Sequence, residues 1–160
     1  MSKDKLETLM IQLAPEVVAR NWDGIGHYIA QVLGPQHQNG SMQRMLTAIT
    51  SGQAECWTLV ERRPDKPCVL AIVVTAVTVD SITACKNLMI YAMYGAPRIA
   101  MWQWQVGYQQ LQEHARKKGC KKIFAFSDVP DVFKLVDRLG GKHEVRLIEL
   151  EVSDGCESPV

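Results

Sequence analysis

No apolar run in this sequence is long enough to cross a bilayer; the longest, Val69 to Val79, is interrupted by Thr75 and Thr78. Nor is there an excess of either charge, since 18 Lys and Arg stand against 17 Asp and Glu, a net +1. That balance supplies no global electrostatic drive toward nucleic acid or a membrane surface. The five cysteines, Cys56, Cys68, Cys85, Cys120 and Cys156, are odd in number and include no CxxC pair. A zinc site and a disulfide framework are therefore both disfavoured, and a reduced intracellular set of thiols is the reading. His27, His37, His114 and His143 share no metal-ligand spacing, and HExxH is absent. The opening stretch MSKDKLETLMIQLAPE carries acidic residues within its apolar part and has no small-residue cleavage site, so it does not read as a signal peptide. Glycine is missing between Gly95 and Gly107, and tyrosine is missing after Tyr108.

With 160 residues, 47% hydrophobic and 22% charged, the chain has the length and composition to bury one core. It reads as a single domain over residues 1–160, with N-terminal helices over 1–52, a sheet with two helices over 54–152, and a polar tail over 153–160. Leu6, Leu9, Met10 and Leu13 suggest a first helix that Pro15 ends or restarts. After Asp23, the spacing of Ile25, Tyr28, Ile29, Val32 and Leu33 predicts an amphipathic helix stopped by Gly34-Pro35, and Ser41 opens a third through Ile49. AECWTLVERR, CVLAIVVTAVTVD and KNLMIYAMYG read as three strands, the first two joined by a turn at Pro64 to Pro67. A long helix over Ile99 to Lys118 follows, with Met101, Trp104, Tyr108, Leu111 and Ala115 as its apolar stripe. CKKIFAFS, VPDVFKLVDRLGG and KHEVRLIELEV then read as strand, helix and final strand. This order predicts an α+β (mixed α/β) domain, a central, mostly antiparallel sheet flanked by helices.

The segment LQEHARKKGCKKIFAFS followed by VFKLVDRLGG resembles the second half of the GNAT N-acetyltransferase superfamily, where a helix ends in A-x-x-x-G-C and leads into a strand and another helix. The strands over residues 54–95 fit the same topology, so the resemblance covers about two thirds of the chain. More narrowly, Trp22, Gly52 to Trp57, Ala71 to Thr75, Gly95, Trp102 and Gly119-Cys120 resemble the pattern of GNAT-like proteins encoded among the virion genes of tailed bacteriophages.

The resemblance implies an acetyl-CoA pyrophosphate loop of pattern Q/R-x-x-G-x-G/A at the start of the long helix. Glycines there let backbone N–H groups approach the phosphates, beside a favourable helix dipole. Counting back from Ala115 and Gly119, the glycine positions fall on Trp102 and Trp104, and the Q/R position falls on Ile99. The superfamily's general-acid tyrosine would fall on Val136. Glu55 or Glu61 could stand for the general base, and both read equally well as solvent-facing strand residues. His114 reads as a surface residue and Cys120 as a small core side chain.

The expectation that follows is a GNAT fold without catalysis and without a cofactor, acting as a bacteriophage structural or assembly protein. Its partners would be other virion proteins, its state a homo-oligomer or multi-copy assembly, and its location the virion or the host cytoplasm. Trp102, Tyr91, Tyr94 and Trp22 are the candidate partner-binding residues. On a helix Trp102 and Trp104 point about 200° apart, so Trp104, with Tyr108 and Leu111, should pack on the sheet and Trp102 be covered by the N-terminal helices or by another chain. The alternatives are a divergent N-acetyltransferase using acetyl-CoA, and a small phage protein that binds a host partner. Arg116-Lys117-Lys118 with Lys121-Lys122 could touch phosphate, although a basic helix C-terminus complements the dipole in any case, and nucleic acid and membrane are not expected partners.

Overall fold

Strands form where β-branched residues cluster. Val69 to Val79 holds six valines and isoleucines, and in the computed structural model it becomes the central strand of a five-stranded sheet. The structure describes residues 7–33, 40–127 and 129–143, with 148, 150 and 152. The elements run β1 (Thr8–Gln12), α1 (Pro15–Arg20), α2 (Trp22–Val32), α3 (Ser41–Thr50), β2 (Glu55–Glu61), β3 (Cys68–Val79), β4 (Lys86–Gly95), α4 (Met101–Lys117), β5 (Ile123–Phe124) and α5 (Pro130–Arg138). The strands lie in sequence order, antiparallel throughout except that β5 runs parallel to β4. The expected mixed α/β architecture with a mostly antiparallel sheet is the one found.

Alternation along the strands divides the core into two layers. On one face Cys56, Ile72, Val74 and Ala92 meet Val18, Ile29 and Ile49 of α1 to α3. On the other face Trp57, Val73 and Leu88 meet Leu111 and Ala115 of α4. Burial in the first layer pushes the Cys56 thiol up to about 11, so this cysteine is an inert core side chain.

Two features differ from the sequence reading. The first apolar stretch is a strand, not a helix: Thr8 to Gln12 pair with Glu61 to Trp57, and α1 begins at Pro15. Leu9, Met10 and Ile11 fit either period over so short a run, and pairing with the edge of β2 decides it. The buried stripe of α4 is Gln103, Gly107, Leu111 and Ala115, spaced by four, with Trp104 and Tyr108 half-buried beside it. At Gly107 the helix comes close to the sheet, and an added Cβ would lie 3.6 Å from Leu59 Cδ1 and 3.9 Å from the Met10 thioether.

The chain divides into two compact units after Phe126. In the second, Pro130 occupies the first turn of α5, and Gly140, in the left-handed region, ends it with Gly141 N–H donating to Val136 C=O. Phe133 stacks on the His143 ring. The expected final strand and polar tail lie mostly outside the described residues, as do Leu6 and the Gly34-Pro35 stop.

Leu88 is fully buried between β3 and β5 under α4. Leu88→Ala is expected to lower unfolding free energy by about 2–5 kcal/mol, measured by urea denaturation at unchanged m-value.

Candidate functional site at the open edge of β4

β4 pairs with β3 along its length but with β5 only through Leu88–Ile123 and Met89–Phe124. From Ile90 to Gly95 its second edge carries no strand among the described residues. Along this stretch the β3–β4 register slips, since Val74 faces Ala92 while Thr75 faces Ile90. Tyr91 is the extra residue of this bulge and is 54% exposed.

This stretch of β4 ends at the connection into α4. Ala96 N–H donates to Leu70 C=O at 2.7 Å, and Arg98 adopts φ +70°, a left-handed conformation that costs a side-chain-bearing residue about 1–2 kcal/mol. Helix N-termini bind anions through unsatisfied N–H groups. Here the Gln103 amide is folded back into the turn: Oε1 accepts from Ala100 N–H at 3.0 Å. Its Nε2 donates to Glu61 Oε2 at 2.7 Å and to Thr8 Oγ1 at 3.3 Å. Gln103 is only 4% exposed. Its amide thus ties the start of α4 to β1 and β2. Arg63 bonds the other oxygen of Glu61 at 2.9 Å and holds this carboxyl below the usual glutamate range, with the Gln103 bond acting in the same direction.

Trp104 closes the same corner. Its ring edge lies 3.0 Å from where a Cβ at Gly95 would be, with Ile99 Cδ1 at 3.4 Å, so Gly95 is required for contact rather than for its dihedral angles. Trp104 packs with Leu59, Leu70, Ala71 and Ile99, which agrees with the expectation that it is the indole on the sheet. Trp102 is half-buried on α4. The N-terminal helices pack on the opposite face of the sheet, which corrects the expectation that they cover Trp102.

The other aromatic candidates do not gather into one patch. Trp22 packs into the core with the N-terminal helices, its ring 3.5 Å from a Cβ placed at Gly26. Tyr94 meets Tyr28 of α2 at 4.7 Å between ring centroids, and Tyr28 meets His27 at 5.7 Å. Tyr91 stands apart at the bulge.

Glu55 and Glu61 lie at opposite ends of β2, and neither is a free solvent-facing carboxylate. Thr75, directly across from Glu55, donates to Glu55 Oε2 at 2.9 Å and accepts from Trp57 Nε1–H at 2.9 Å. His114 corrects its reading as a surface residue. Its side chain is 12% exposed, its ring meets Trp57 edge-on at 4.8 Å, and Nε2 lies 3.6 Å from Glu55 Oε1. This Nε2 is buried without a hydrogen-bond partner. No hydrophobic period marks such a network; the one sequence sign is an α4 stripe with His114 flanking it.

No protein-family model matches the chain, and no curated protein matches it in sequence. Solved structures do match in shape. One is an aminoglycoside N-acetyltransferase, AAC(6')-Iy, in complex with CoA: TM-score 0.67, 14% identity, covering 95% of this chain and 99% of that one. Another is the aminoglycoside 6'-N-acetyltransferase AAC(6')-Ih from Acinetobacter baumannii, with TM-score 0.67, 12% identity and coverage of 93% and 100%. A third is the ribosomal-protein-alanine N-acetyltransferase from Brucella melitensis biovar Abortus 2308, with TM-score 0.64, 13% identity and coverage of 92% and 100%.

Gly95→Ala is expected to destabilise the protein by about 1–3 kcal/mol through overpacking, and by less in a Trp104→Leu background, as a double-mutant cycle in urea would read. Glu61 has a lowered folded pKa, so its contribution is present above the ordinary glutamate range and is lost as pH falls through the folded value. Glu61→Gln should therefore flatten the acid limb of the stability–pH curve and leave the neutral region less affected in slope. Sheet order, layer arrangement and likeness to solved acetyltransferases agree: the chain has the GNAT fold.

Proposed function

We propose that this protein uses the GNAT fold as a binding scaffold and does not transfer acyl groups. The observation that carries the reading is the filled first turn of α4. In a phosphate-binding turn, glycines let the ligand reach free N–H groups. Here the turn holds Trp102, Gln103 and Trp104, and the Ala100 N–H is already taken by the Gln103 amide. A pyrophosphate would have to displace a buried glutamine bonded to β1 and β2 and an indole seated on Gly95. These residues do not fit acetyl-CoA in the manner the fold would otherwise imply. Val136, at the general-acid position, has no ionisable proton to give. The sequence resemblance to GNAT-like phage proteins adds the setting: a virion or assembly component, present in several copies, with other virion proteins as partners.

A second reading, a divergent acyl-CoA-dependent N-acetyltransferase, is favoured by one feature, the bulged and open edge of β4 beside the start of α4. Acetyl-CoA separates the two. A ligand present at 100 times its Kd stabilises the folded state by about 2.7 kcal/mol, which moves Tm by roughly 5–10 °C in a protein of this size. The scaffold reading expects a flat thermal shift and unchanged tryptophan fluorescence up to millimolar acetyl-CoA. Micromolar binding would overturn it. Mass spectrometry of purified phage particles checks the assembly half.

A further inference from the structure

At the other end of α4, about 25 Å from its first turn along 17 residues, an open depression of about 420 Å³ is lined by Gly52, Gln53, Glu55, Val77, Lys86 and Lys118. Four elements converge on it: the start of β2, the later part of β3, the start of β4 and the C-cap of α4. Lys121 N–H donates to Lys86 C=O at 2.9 Å and Leu88 N–H to Lys122 C=O at 2.9 Å, which fixes the α4–β5 turn against β4. The basic cluster seen in the sequence therefore gains Lys86 from a distant strand. Cys120 lies within the field of the same groups: desolvation raises its thiol pKa, Lys86 and Lys118 act to lower it, and Glu55 acts to raise it.

The lysines and the glutamate do not neutralise one another by contact. Among the described residues neither the Lys86 nor the Lys118 ammonium group forms an ion pair or hydrogen bond, although both side chains line the depression with Glu55. Glu55 is instead held from behind. Its Oε2 takes the single hydroxyl proton of Thr75, whose acceptor side is occupied by the Trp57 indole N–H, so the donor chain runs one way and ends on a carboxylate. Its Oε1 faces the buried, unpartnered His114 Nε2 at 3.6 Å. A basic helix end alone would only complement the dipole. A concavity with two unengaged cations and one orientated acceptor has the makings of a recognition site for an anion that also carries a donor.

We infer that this depression binds a small phosphate monoester bearing a hydroxyl group, with Lys86 and Lys118 on the phosphate and Glu55 accepting from the hydroxyl. A nucleic-acid backbone fits less well, since a fixed carboxylate in the wall repels a continuous line of phosphates.

Calorimetric titration with D-ribose 5-phosphate, inorganic phosphate and a single-stranded oligonucleotide tests it on the full chain. Ribose 5-phosphate is expected to bind about tenfold more tightly than inorganic phosphate, the scale of one charge-assisted hydrogen bond. Lys86→Ala with Lys118→Ala, both at exposed positions, should abolish both ligands while a thermal scan shows the fold intact. Glu55→Gln should bring the two affinities together. The inference falls if neither phosphate binds at millimolar concentration, if the double lysine variant binds as the native protein does, or if only the oligonucleotide binds. Because the depression lies at the opposite end of α4 from its first turn, these results do not depend on how acetyl-CoA behaves.

Discussion

The seating of α4 on the sheet decides most of what this molecule presents. At Gly107 the helix lies against Leu59 and Met10 with room for no more than ordinary side-chain contact, and its start is fixed because the Gln103 amide is bonded to both strands and to its own N-cap. A buried amide left unpaired costs about 1–3 kcal/mol, so every partner of Gln103 also restrains it. With the helix start held in this way, Trp104 is delivered onto Gly95, and the corner between β4 and α4 is closed. The backbone keeps the open-edged β4 of the GNAT fold, while side chains from the same turn fill its end.

The strands and helices with long, regular periods were legible in the sequence. β2, β3, β4, α2, α3 and α4 each carry enough alternating or helical apolar positions to fix their type, and the element order gave the architecture. β1 was not legible, because five residues with apolar neighbours fit a helix as well as a strand until a partner edge is known. The inner face of α4 was misread for a different reason. Hydrophobicity ranks Met101 and Trp104 above Gln103 and Gly107, yet close packing selects a small residue, and polar satisfaction selects an amide with three partners within reach.

The candidate site was legible by what is missing and illegible in what replaces it. The gap between Gly95 and Gly107 shows from sequence alone that no glycine-rich turn precedes α4. That the Gln103 amide also ties the turn to Glu61 and Thr8 depends on contacts across 42 and 95 residues of chain that no local pattern encodes. The same holds for Glu55, Thr75, Trp57 and His114. A cross-strand pair, an indole donor and a helix side chain meet only after the sheet and α4 have docked.

Identity of 12–14% with aminoglycoside and protein N-acetyltransferases over nearly the whole chain shows how loosely this fold constrains its sequence. Five strands, a bulge and a helix entering at the strand end are satisfied by many sequences, because they require only patterning and a few small residues. A phosphate cradle requires free N–H groups at one turn, and a single glutamine turned inward removes one of them. At the opposite end of α4 the balance is reversed: the carboxylate is orientated by a hydrogen-bond chain, the cations are unengaged, and the surface is concave. At the N-terminal end of α4 the Gln103 amide is spent on holding the helix in place.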